Sequence, residues 1–203
     1  MRASSLIIGP IVRSDVHATA HSIAEGAAEA GADVRLLRVA ETAPAHVVDR
    51  NPDWRAHLDA TADMPLATLD DLVWADGYAV GTPTRFGNVA AQLKSYLDTT
   101  GGIWEAGHLA GKPFTAFTST GERHGGQEST LLALYNVAYH WGSVILPTGY
   151  VDYDIIHAAG GNPYGISNIS GEGEPTKEQL RAAHFQGGRL ARVAAALTPL
   201  RTV

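Results

Sequence analysis

Apolar positions along the chain fall into short runs that alternate with amphipathic stretches. Residues 5–12, SLIIGPIV, predict a buried first strand interrupted by Gly9-Pro10. Residues 18–30 place Ile23, Ala27 and Ala30 at helical spacing, and Gly31 supplies a stop. Residues 32–39, ADVRLLRV, predict a second strand, parallel to the first because a helix joins them. A third strand is expected at 77–80 and a helix at 88–99 with Val89, Leu93 and Leu97 on one face. A fourth strand follows at 113–118, PFTAFT, then a helix at 130–141 with Leu131, Leu134, Val137 and Ala138 inward, and a fifth strand from Val144. Pro175-Thr176-Lys177-Glu178 opens a last helix, with Leu180, Ala183, Leu190, Val193 and Leu197 roughly on one side. Strand and helix alternate five times, which predicts an α/β fold: a doubly wound parallel sheet with helices on both faces. No repeat or linker divides the chain, so 1–203 is expected to be a single domain.

Two stretches break the alternation. Residues 41–71 contain Pro44, Pro52 and Pro65 and predict an irregular excursion with short helical pieces, one at 68–74, anchored by Trp54. Residues 150–175 are polar and glycine-rich, including Gly160-Gly161-Asn162-Pro163-Tyr164-Gly165. Loops of this length are usually functional or assembly elements.

Composition narrows the chemistry. Apolar residues make up 45% and charged residues 18%, as in a folded soluble protein. A net charge of −6 argues against a nucleic-acid partner held by general electrostatics. With no cysteine there is no thiolate nucleophile, disulfide or cysteine-ligated metal. No run is long enough for a signal peptide or a membrane span, so a cytoplasmic location is the expectation. His17 and His21 share a helix face at i, i+4 without an evident third ligand, so no metal site is expected.

The stretch after the third strand, Gly81-Thr82-Pro83-Thr84-Arg85-Phe86-Gly87-Asn88, is the best candidate site. Open α/β sheets bind ligands beyond the carboxyl ends of their strands. Here Gly81 and Gly87 permit close backbone approach, and Pro83 fixes one φ. The Thr82 and Thr84 hydroxyls and the amides can donate hydrogen bonds, Arg85 is a cation and Phe86 offers a flat apolar face. Such a turn can hold a planar, hydrogen-bonding ring. A second glycine-rich loop follows the fourth strand and carries Ser119, Thr120, Gly121, Gly125 and Gly126. It would face the first loop across the same end of the sheet.

GTPTRFGN before an apolar helix, STG with HGGQE, Ala24-Glu25-Gly26-Ala27, and GGNPYG before the final helix together resemble the WrbA-type (tryptophan-repressor-binding-protein-like) NAD(P)H:quinone oxidoreductases, over most of the chain. The resemblance implies a flavodoxin-like five-stranded sheet of order 2-1-3-4-5, whose site lies at the switch beside strand one. It implies FMN as cofactor, NAD(P)H as reductant, a quinone-like acceptor and a homotetramer. The flavin ring would lie between Thr82–Gly87 and Ser119–Gly126. Trp104, in Gly101-Gly102-Ile103-Trp104, would come from a neighbouring subunit to stack on the acceptor. His140 would hydrogen-bond a quinone oxygen or donate a proton, and Tyr150 would line the same cavity. The position after His140, often a second histidine in the family, is Trp141.

The chain departs from this pattern after strand one. The family carries Ser-x-x-Gly-His or close to it, whose amides hold the FMN phosphate. Here the stretch from Gly9 to Thr19 lacks the loop glycine and contains Asp15. Arg13, Ser14, His17 and Thr19 are the residues left to contact a phosphate. Weak FMN binding is therefore expected, and the rival reading is a flavodoxin-like binding or assembly protein that has lost the reaction.

Overall fold

The protein is described from a computed structural model over residues 4–10 and 14–201. Six described segments build the parallel part of the sheet. The first three are β1 (Ser4–Pro10), β2 (Asp33–Val39) and β3 (Gly77–Arg85); a two-residue strand, β4 (Asn88–Val89), folds back on β3. They are followed by β5 (Pro113–Thr120), β6 (Val144–Ile145) and β7 (Ile166–Ile169). The order β2-β1-β3-β5-β6, with β1, β2, β3, β5 and β6 parallel, is the expected 2-1-3-4-5 arrangement.

Helices cover both faces. One face carries α1 (Ser14–Glu29) and, near the C-terminus, a helix over Lys177–Leu197. Between them in the chain come α2 (Ala45–Val48), α3 (Pro52–Ala60), α4 (Leu69–Trp74), α5 (Ala91–Asp98), α6 (Gly101–Glu105), α7 (Gln127–Trp141) and α8 (Tyr153–Ala158), which makes the final long helix α9. Val16, Ile23, Phe117, Ala183 and Leu190 fill the α1/α9 side. Leu72, Tyr78, Leu93, Phe114, Leu131, Leu134 and Trp141 fill the side under α4, α5 and α7.

Several boundaries differ from the sequence-based expectation, each for a local reason. α1 starts at Ser14, four residues early, and Ala30 is exposed rather than inward. The third strand does not end at Val80. Backbone pairing with β5 continues through Pro83, and β4 pairs with Thr84 and Arg85. The expected turn over 81–88 is thus mostly strand, and the chain reverses only at Phe86-Gly87, both with positive φ (54° and 76°). Two such residues define a hairpin turn whose twist matches its strands. The fifth strand is split. β6 pairs with the first residues of β5 and β7 with its last four, and α8 sits in the excursion between them.

α1 and α9 cross at backbone distance. A Cβ on Gly26 would come within 1.9 Å of the His184 carbonyl oxygen, and one on Gly187 within 2.0 Å of the Ile23 carbonyl oxygen. Beside this crossing the buried Gln186 Nε2 donates to Thr115 Oγ1 and to the Leu146 carbonyl, both at 2.9 Å, tying α9 to the sheet. Neither glycine can gain a methyl group without separating the helices. Gly26→Ala and Gly187→Ala should each cost about 3 kcal/mol, the upper part of the overpacking range. Urea unfolding checks this; a midpoint unchanged in both variants would refute the tight crossing.

Candidate active site

The C-terminal edge of the sheet brings together the N-terminus of α1, the β3–β4 hairpin, the loop after β5 and the segment after β7. The two ring loops named from sequence touch. A Cβ on Gly126 would stand 2.8 Å from the Gly87 Cα. Thr130, in the first turn of α7, links them, with its hydroxyl 2.8 Å from Thr84 Oγ1 and 2.7 Å from the Gly126 carbonyl.

Most of the expected side-chain donors brace these loops instead of facing a ligand. Thr82 is fully buried; its hydroxyl accepts from the Ala90 N–H at 3.0 Å and donates to the Pro83 carbonyl at 2.9 Å. Thr84 Oγ1 accepts from the Gly87 N–H at 3.1 Å. Thr120 Oγ1 donates to the Glu122 carbonyl at 2.8 Å, and Ser119 Oγ donates to the Asp15 carboxylate. Gly81 leaves room for the Phe117 ring, not for a ligand. Pro83 is buried in β3. Arg85 Nη1 donates to the Thr84 carbonyl at 2.9 Å, and the donors left for a ring are backbone amides. Among the described residues the N–H groups of Glu122, Arg123 and His124, which lie between Gly121 and Gly125, donate to no backbone carbonyl. Arg85 is half-buried, and Phe86 is fully exposed at the hairpin tip.

Beside these loops lies a cavity of about 690 Å³, lined by Ser14, Asp15, Arg85, Glu174 and one side of α3. α3 is the element that sequence reading left unresolved. Asn51 caps it by accepting from the Asp53 and Trp54 N–H groups at 3.1 and 3.2 Å, with Pro52 in its first turn. Glu41 holds it down, accepting from Trp54 Nε1 at 3.1 Å and from Gln92 Nε2 of α5 at 2.7 Å. Trp54 and His57 of α3 line the cavity. The Asn-Pro start was the available signal for this helix; nothing in the sequence placed His57 in the site.

The phosphate end differs from the expectation. Arg13 lies outside the described residues. Asp15 is 3% exposed and points inward, its carboxylate accepting from Ser119 and from the Val16 N–H at 3.0 Å. Ser14 Oγ donates to Glu174 at 2.7 Å. Thr19 Oγ1 donates to the Asp15 carbonyl at 2.9 Å. His17 does not serve as a cation here. Its ring packs edge-on against His21 and His57, at centroid distances of 4.5 and 5.5 Å. Burial, then the His21 and His57 charges, push its pKa down to about 4. Among the described residues no group of three or more His, Cys, Asp or Glu side chains is arranged to hold a metal ion. FMN therefore fits at its ring end, where unpaired amides match ring carbonyls and nitrogens. At the phosphate end the described residues present a carboxylate and hydroxyls.

Trp104 and His140 are not with these loops. They sit together at the other end of α7, where Trp104 Nε1 donates to the His140 carbonyl at 2.5 Å and both side chains are exposed. α7 starts at the site and ends where β5 begins, since Val144 just beyond it pairs with Pro113. Its 15 residues rise about 20 Å. In one chain His140 thus cannot reach a ring held by Gly87 and Gly126. Tyr150 is exposed, its hydroxyl donating to the Gly161 carbonyl at 3.2 Å.

A parallel sheet with two ligand loops at its carboxyl edge defines a flavodoxin-like, flavin-binding α/β protein. Residues 7–157 match the NADPH-dependent FMN reductase family, and the chain belongs to it. Among its relatives, the NAD(P)H dehydrogenase (quinone) of Deinococcus radiodurans is 47% identical over 167 residues, 82% of each chain. That of Geotalea uraniireducens is 41% identical over 192 residues, 90% of this chain and 93% of the relative. The crystal structure of a WrbA-like flavodoxin from Agrobacterium tumefaciens shares the fold, with a TM-score of 0.66 at 22% identity, covering 97% of this chain and 99% of that one.

Two measurements follow from the phosphate end. A carboxylate about 6 Å from one phosphate charge repels it by about 3 kcal/mol at an effective dielectric of about 20. Asp15→Asn should accordingly tighten FMN by about ten- to a hundredfold in a flavin fluorescence titration; unchanged affinity would place the phosphate away from Asp15. His17 separately makes the fold acid-sensitive. Its neutral form is favoured when folded, so the unfolded chain takes up more protons between pH 6.5 and about 4. Stability is full above that window and falls as pH drops through it. Discounted for partial exposure, the loss from pH 7 to 5 is about 1 kcal/mol. His17→Gln should lose less stability on acidification than the wild type, as read from urea midpoints at the two pH values.

Proposed function

We propose that the protein is an FMN-dependent oxidoreductase that passes two electrons from NAD(P)H to a quinone or similar flat aromatic acceptor. The observation that carries this is the contact of the two ring loops at Gly87 and Gly126, beside an open cavity at the carboxyl edge of the sheet. Relatives at 40–47% identity named NAD(P)H dehydrogenase (quinone) support it.

FMN, when bound, supplies the two-electron relay between the two substrates. The chain's own residues do the rest. The Glu122–His124 amides orient the ring, while Thr82, Thr84, Thr120 and Thr130 keep the loops from shifting. Phe86 offers an apolar face at the rim. Reduced nicotinamide and acceptor use the open side in turn. Among the described residues no helix is long and apolar enough to cross a membrane, and NAD(P)H as reductant supports a cytoplasmic setting.

The reading extends to assembly. Trp104 and His140, exposed together about 20 Å along α7 from their own ring loops, act on the site of another copy in a homotetramer. Trp104 stacks on the acceptor there, and His140 faces one of its oxygens.

Protein reconstituted with FMN should oxidise NAD(P)H with 1,4-naphthoquinone as acceptor; no turnover with saturated FMN would reject the reading. Light scattering at micromolar concentration should give a tetramer. Trp104→Ala should raise the KM for quinone several-fold, in line with about 0.5–1.5 kcal/mol of lost stacking, and leave FMN content unchanged. A fully active monomer would remove the shared site.

A further inference from the structure

The histidine pair on α1 does something that neither flavin nor acceptor requires. His17 and His21 stand one helical turn apart, and their Nε2 atoms meet at 2.9 Å on an exposed part of the helix. The two rings lie edge to face at 75°, so both nitrogens converge on one point at the surface. A hydrogen bond between neutral, solvated rings contributes little, because water replaces it on either side. The pair therefore opens at small cost to a ligand that takes both lone pairs.

The separation of the nitrogens selects the ligand. With metal–imidazole bonds of about 2.05 Å, two cis positions of a square-planar or tetragonal ion lie about 2.9 Å apart. Two corners of a tetrahedral ion lie about 3.3 Å apart. The observed 2.9 Å matches the first geometry, which is that of Cu²⁺ and Ni²⁺.

We propose that His17 and His21 form a two-nitrogen site for Cu²⁺ or Ni²⁺, with water in the remaining positions, and that the bound ion clamps the first two turns of α1. Among the described residues no third side-chain ligand joins them, so the site is open and of moderate affinity. The pair is ready to bind at neutral pH. Burial and the neighbouring His21 and His57 keep His17 neutral down to about pH 4, so no proton competes with the metal there. The positive end of the α1 dipole opposes a cation near His17, at about two- to fivefold in affinity. His21 lies a turn further on, where that effect has faded. The paired geometry exists only while α1 is helical, so the ion binds the folded chain in preference to the unfolded one. The site is separate from the redox reading and stands whether or not that reading holds.

Calorimetric titration of FMN-loaded protein with NiCl₂ tests this, the flavin being common to every variant. His21→Ala should weaken binding by about a hundredfold, because the second nitrogen acts at the effective concentration set by one helical turn. His17→Gln should do the same. His184→Ala, which removes a histidine paired with Glu29 instead, should leave the affinity within about twofold. With CuCl₂, the paramagnetic resonance spectrum of wild type should show splitting from two nitrogen donors, reduced to at most one in His21→Ala. Saturating Ni²⁺ should raise the urea midpoint of wild type and leave that of His21→Ala unmoved. His21 is exposed, and circular dichroism confirms that its variant folds. Nickel affinity in both His21→Ala and His17→Gln equal to wild type would mean an adventitious ion only and would overturn the proposal. Zn²⁺ binding more tightly than Cu²⁺ would overturn the geometric assignment.

Discussion

Everything at the carboxyl edge of the sheet depends on where the first helix sits, and α9 sets that. The two helices meet backbone to backbone at Gly26 and Gly187, closer than any side chain permits. Gln186 locks α9 to Thr115 and Leu146. α1 is thereby fixed over the sheet, and its first turn delivers Asp15 to Ser119 of β5. Asn168 of β7 is drawn into the same junction, donating to Thr19 of α1 at 2.5 Å. One tight crossing distant from the chemistry thus sets the separation between the phosphate end and the ring loops.

Around that junction the site divides its work by residue type. Hydroxyls are spent inside the protein, joining hairpin to helix and strand to loop. The backbone amides of the loop after β5 remain for ligands. Hydroxyl bonds of this kind restrict the loops before anything binds, which reduces the ordering cost of binding. The positive φ of Phe86 belongs to the same logic. An aromatic residue in the left-handed region is held there by the β3–β4 pairing on either side, and its ring is turned fully to solvent.

How much of this was legible in the sequence follows from burial. α1, α5, α7 and α9 each bury a stripe, so periodicity showed them, and the sheet order followed from the alternation and the family resemblance. α3 buries no residue fully and has no stripe to read. β7 lies between glycine-rich stretches that read as loop, and it is recognised only by its pairing with β5. The ring loops were visible because their glycines, threonines and Arg85 are local in sequence. Their internal hydrogen bonds were not, because Thr84 meets Thr130 and Asp15 meets Ser119 across long separations. His57 was invisible for the same reason: its neighbours His17 and Asp15 belong to another helix.

The split fifth strand has a bearing on how the protein behaves in a crowded cell. A sheet edge is a template for pairing with a stranger's backbone, and long flat edges aggregate. Here that edge consists of a two-residue piece and a four-residue piece, set against opposite ends of β5 and separated by α8 and its flanking loops. No uninterrupted row of free backbone groups is left there for an intruding strand to extend. The interruption that hid β7 from sequence reading also blunts one side of the molecule against amyloid-like stacking.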